Sequence, residues 1–80
     1  MSKLPVVTGR QAIQAFARLG FEEVRVRGSH HILKKPGHVF VLTVPVHGAD
    51  ALKPGLLRRL VRDAGVSLDE FVNAVDDRFP

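Results

Sequence analysis

Two short punctuation points constrain the middle of this chain more than anything else in it. Gly28-Ser29 and Pro36-Gly37 separate three runs that read as strands: Phe21 to Arg27, His31 to Lys34, and His38 to Val44, the last ended by Pro45. Turns this short join neighbouring strands that run in opposite directions, so the expectation is an antiparallel meander. In the first run Val24 and Val26 alternate with Arg25 and Arg27, which reads as a half-buried strand with a basic outer face. The third run, HVFVLTV, is rich in β-branched and aromatic residues, as strands are.

Helical signals flank the meander. Thr8-Gly-Arg-Gln11 reads as a capping box, followed by Ile13, Phe16 and Ala17 at helical spacing and by Gly20 as a terminator, so a helix is expected from about residue 9 to 19. Residues 45–53 read as a loop. Pro54 then suits the first turn of a second helix, in which Leu56, Leu57, Leu60, Val61 and Ala64 form one apolar stripe and Arg58, Arg59 and Arg62 face water; Gly65 ends it. Ser67-Leu-Asp-Glu70 is a second capping box opening a short helix with Leu68, Phe71, Val72 and Val75 on its inner side. The order α-β-β-β-α-α gives a small α+β domain, with the two longer helices covering one face of the sheet. With 80 residues the chain is expected to be one domain over 1–80, with its five Phe (16, 21, 40, 71, 79) in the core.

Charge narrows the function. Residues 1–62 hold eleven of the twelve Lys and Arg and three of the eight acids, a sum of +8, whereas residues 63–80 hold one Arg and five acids, a sum of −4. A cationic body points toward a polyanion, nucleic acid first. The absence of cysteine excludes a disulfide scaffold, a thiol nucleophile and a thiolate metal site, and it fits a reducing, cytoplasmic setting. No run approaches the roughly 20 apolar residues of a membrane span, and no signal-peptide core opens the chain, so no membrane partner is expected.

Four histidines are the candidates for proton chemistry. His38, beside the Pro36-Gly37 turn, reads as a solvated loop residue. His47 lies in the loop after the third strand and could face the same surface as the first pair. His30 and His31 are adjacent at a strand start and should point to opposite faces, so only one of them faces the open sheet surface. No acid lies between residues 24 and 49, ligand spacing for a metal is poor, and neither a G-x-S-x-G context nor a Gly-rich phosphate loop occurs; no metal and no cofactor are expected. What remains is a histidine ringed by Arg25, Arg27, Lys34 and Lys35, with Ser29 beside it. That set suits RNA cleavage without metal, because the RNA 2′-OH is itself the nucleophile. Taken alone, the local chemistry favours plain RNA binding, with cations holding phosphates and histidines only hydrogen-bonding.

The whole pattern goes further. "LGFEEVRVRGSHHILKK", "VLTVPVHG" and "LKPGLLRRLVRDAGVSLDEF", in that order, resemble the HicA (YcfA-like) toxins of type II toxin–antitoxin modules over roughly residues 8 to 73. The resemblance implies a fold like that of double-stranded-RNA-binding domains and the activity of a ribosome-independent mRNA interferase. It also implies neutralisation by a HicB-like antitoxin, the toxin being a monomer when free and part of a hetero-oligomer with its antitoxin. The family's catalytic histidine lies in the Gly-Ser-His step and maps to His30, with His31 as the alternative. Arg25, Arg27, Ser29, Lys34, Lys35, His47 and Lys53 are then the expected RNA-binding residues, with mRNA as substrate. One departure is Lys53-Pro54-Gly55, where the family often reads Lys-Lys-Gly; this removes one backbone N–H and one cation. Typical members also stop near the end of the second helix or shortly after it. The rival reading is a non-catalytic RNA-binding module of the same fold.

Overall fold

A computed structural model of the chain describes residues 3–75. The order is α1 (Gly9–Arg18), β1 (Glu22–Arg27), β2 (His30–Lys34), β3 (Leu42–Pro45), α2 (Pro54–Ala64) and α3 (Leu68–Val75). The strands form an antiparallel sheet in the order β1-β2-β3, an α+β arrangement consistent with the double-stranded-RNA-binding class.

Local chemistry fixes the helix ends. The Thr8 hydroxyl accepts the Gln11 N–H at 3.2 Å, and Gln11 Oε1 accepts the Thr8 N–H at 2.9 Å, which closes the capping box. Pro54 opens α2 within its first turn, and Gly65 ends it in the left-handed region at φ +74°. At α3 the Ser67 N–H donates to Glu70 Oε1 at 2.9 Å and the Glu70 N–H to the Ser67 hydroxyl at 3.0 Å. These bonds hold the Glu70 carboxyl below its ordinary range: chiefly the Ser67 backbone N–H, then the Ser67 hydroxyl and, more weakly, the Lys35 ammonium.

The core lies between the sheet and the helices. Phe16 of α1 packs 5.0 Å from Phe71 of α3 and 5.9 Å from Phe21 between ring centroids. Leu33, Leu42 and Val44 from the sheet and Leu57, Leu60 and Val61 from α2 complete it. α3 packs against α1, and Arg18 clamps that junction by donating to the Ala74 carbonyl at 2.7 Å. The start of α1 presses on the end of β3: a methyl added at Gly9 would overlap the Pro45 carbonyl.

Four expectations are corrected. β1 is exposed at every position, with Val24 and Val26 about half open to solvent. A bulge lies between Glu23 and Arg25: Val24 is the extra residue, so the two valines do not share a face. β3 begins at Leu42, and residues 38–41 form a loop. In that loop Phe40 is 56 % exposed and so not a core residue, while Phe79 lies outside the described residues, as do Asp76 and Asp77. His38 is not a solvated loop side chain. It is half-buried, its Nε2 donates to the Asp63 carbonyl at 2.6 Å, and its ring stands edge-on to Phe21 at 5.4 Å. The β2–β3 loop is thereby pinned to the last turn of α2.

Candidate functional site

Register decides which side chains meet. His30 pairs with Arg27 on one side and with Pro45 on the other; His31 pairs with Val26 and Val44. Residues directly opposite share a face, and Leu33 and Val44 lie in the core, so His31 faces the helices and His30 the open surface. Gly28, at φ +59°, takes the first position of the two-residue hairpin turn, which brings Arg27 opposite His30. Arg25, opposite Ile32, falls on the same open face because the bulge absorbs Val24. Directly opposed Cβ atoms stand about 4.5–5.5 Å apart and diagonal ones about 7–8 Å. Both guanidinium groups can therefore reach a phosphate held at His30.

Lys34 also stands on the open face, opposite Glu22, four residues along β2 from His30 and so about 13 Å away. Together Val24, Arg25, Ile32 and Lys34 line a shallow depression of about 340 Å³. Lys35 does not join this group. It is half-buried, its Nζ lies 5.7 Å from the Phe21 ring centroid, and its stem runs beside Gly20. Its cation serves the core edge and Glu70.

The far end of the sheet gathers the rest. The Ser29 carbonyl accepts the Val46 N–H at 2.8 Å, which carries the β2–β3 pairing one step past Pro45. His47 follows at once, and the Asp50 N–H donates to its carbonyl at 3.0 Å, which turns the loop toward α2. His47, Asp50 and Lys53 line a groove of about 240 Å³ that also includes Pro45. Arg27, Ser29 and His30 stand at the hairpin turn, and His47 and Lys53 line the groove beyond Pro45, the cross-strand partner of His30.

One contact was not anticipated. His31 Nδ1–H donates to Glu23 Oε1 on the helix-facing side, beside Arg10, Ile13 and Gln14 of α1. Glu23 is eight positions away in sequence and comes into reach only through the bulged ladder. The His31 side chain is 14 % exposed, whereas His30 stands exposed to solvent. Among the described residues no three His, Cys, Asp or Glu side chains converge as metal ligands, and no helix is long and apolar enough to cross a membrane.

The α-β-β-β-α frame is the fold the sequence pattern implied, and its open sheet face carries Arg25, Arg27, Lys34 and His30. The family model described as HicA toxin of bacterial toxin-antitoxin matches residues 9–66. The chain belongs to the HicA toxin family. Comparison with curated proteins gave no match. The matched span runs from the first residue of α1 to just beyond Gly65, so it holds every site residue described above, and α3 lies outside it. Membership of the HicA family makes the chain a toxin of a toxin–antitoxin system and implies an antitoxin as its partner.

Proposed function

We propose that this HicA-family toxin is a ribosome-independent mRNA interferase, acting as one domain over residues 1–80 in the cytoplasm and cleaving RNA by histidine acid–base chemistry. The observation that carries the proposal is the division of labour between adjacent histidines. His30 is open, opposite Arg27 and diagonal to Arg25, whereas His31 is turned inward onto Glu23. His30 removes the 2′-OH proton, and the freed oxygen attacks the adjacent phosphorus. Arg25 and Arg27 neutralise the charge that builds on the phosphorane, with Lys34 holding a neighbouring phosphate. Ser29 fixes the turn through its carbonyl, and His47 and Lys53 contact the chain as it leaves the sheet. A shallow, open surface suits a long flexible polymer better than a small enclosed substrate.

A HicB-like antitoxin silences the toxin by covering the open face, its acids pairing with Arg25 and Arg27 in a hetero-oligomer; the free toxin is a monomer. The test is incubation with a long single-stranded RNA in excess EDTA, beside His30→Ala and His31→Ala. The parent should cleave, and His30→Ala should lose about 10²–10⁴-fold while keeping its RNA affinity. Salt-sensitive binding by the parent without cleavage would leave a binding module and sink the nuclease.

A further inference from the structure

We infer that His47 is the second catalytic residue, the general acid that protonates the departing 5′ oxygen; this inference rests on the nuclease reading above. The chemistry demands such a group. Attack by the 2′ oxygen forms one P–O bond and breaks another, and without a proton the leaving group would depart as a 5′-alkoxide. His30, which accepts the 2′ proton, cannot donate at the same moment. Guanidinium and ammonium groups ordinarily hold their protons too tightly near neutral pH, so a second imidazole is the natural donor.

Placement leaves one imidazole for the task. His31 lies on the opposite face and is bound to Glu23, and His38 sits at the other end of the sheet, bound to the Asp63 carbonyl. His47 is exposed and stands two residues beyond Pro45, the residue directly opposite His30. The Val46 N–H to Ser29 carbonyl bond carries the extended pairing through the intervening residue. Continued two residues past the end of β3, strand periodicity would put His47 on the side of the sheet that bears His30, at a diagonal spacing of about 7–8 Å between Cβ atoms. Two imidazoles so spaced can approach one phosphodiester from its two sides. Arg27 stands opposite His30, and Lys53 and Asp50 share the groove of His47. The step balances: His30 gains the 2′-OH proton, His47 loses one to the 5′ oxygen, and the products are a 2′,3′-cyclic phosphate and a 5′-hydroxyl end.

The test uses two versions of one oligoribonucleotide, an ordinary one and one whose bridging 5′ oxygen at the cleavage site is replaced by sulfur. A thiolate leaves without an acid. His47→Ala and His47→Gln should cut the ordinary RNA about 10²–10⁴-fold more slowly than the parent and the sulfur-bridged RNA at close to the parental rate. His30→Ala should be slow on both. Thermal melts and RNA binding, measured with His30→Ala in the background, separate chemistry from folding and affinity. Equal loss on both substrates for His47→Ala, or rescue of His30→Ala in its place, overturns the assignment while the nuclease stands. A parent that cleaves neither substrate removes the nuclease reading and this inference with it.

Discussion

Gly65 carries two constraints at one residue. Its φ of +74° lies in the left-handed region, and a Cβ built there would stand 3.1 Å from His38 Cε1. Gly65→Ala should therefore destabilise by more than the roughly 1–2 kcal/mol that left-handed geometry costs an ordinary residue. His38→Ala removes the ring that crowds the site and also the bond to the Asp63 carbonyl. The double variant should consequently be more stable than the sum of the single effects allows. Urea denaturation of the four proteins measures the coupling, and strict additivity would show that the ring does not press on Gly65. The same scale separates the two adjacent histidines. His31 is tied to Glu23 and spends its polarity inside the sheet–helix seam, whereas His30 stands exposed on the open face.

At the scale of elements, β1 depends on one extra residue. Phe21 is buried, and a regular strand counted from it by twos would put Arg25 and Arg27 on the helix side. The bulge at Val24 changes the phase and delivers both arginines to the open face. Deleting Val24 removes the extra residue and leaves Phe21 inward and both arginines outward, so RNA binding and its salt dependence should persist. Deleting Val26 instead leaves a regular strand in which Arg25 turns toward the helices. Its salt slope in RNA titrations should fall by about 0.7, the value of one single-strand phosphate contact. Equal slopes for the two deletions would show that strand phase does not set the contact.

A second element, α3, carries a pH signature. Ser67 lowers the pKa of Glu70 in the folded state, so the carboxylate's contribution is complete above the unfolded value. It is lost as pH falls from about 4.3 through the lower folded pKa. Amide exchange across α3 should accelerate over that acid window in the parent, and Glu70→Gln should abolish the acceleration without changing exchange in β2. An unaltered profile in Glu70→Gln would place the acid sensitivity elsewhere.

For the whole molecule the relevant quantity is the field of the open face. Arg25, Arg27 and Lys34 share it with His30, whereas Lys35 has turned to Phe21 and Glu70. Arg25→Ala and Arg27→Ala should each lower the slope of log affinity against log salt by about 0.7 on single-stranded RNA. Lys35→Ala should leave the slope unchanged and lower the melting temperature, because its stem covers the core edge beside Gly20. A drop in slope for Lys35→Ala would return that residue to the proposed RNA-binding face.

How much of this was legible in the sequence follows from the range of each interaction. Capping boxes, the Pro54 start, the Gly20 and Gly65 stops and the two-residue hairpin at Gly28-Ser29 all act within a few residues, and the order of elements could be read from them. The opposed faces of His30 and His31 follow from strand periodicity alone, as does the basic side of Arg25 and Arg27 once the hairpin is counted back. The bulge was not legible, because Val24 fits a regular alternation equally well and only the burial of Phe21 forces the change of phase. Nor were the partners of Glu23, His38 and Lys35, each of which meets a side chain or carbonyl from another element. Sequence by itself determined which elements form and which residue types reach the site, since these are set by local backbone chemistry. Tertiary structure alone decided which histidines are spent on the fold and which stay open, because that choice depends on strand register and on what the helices bring across the sheet.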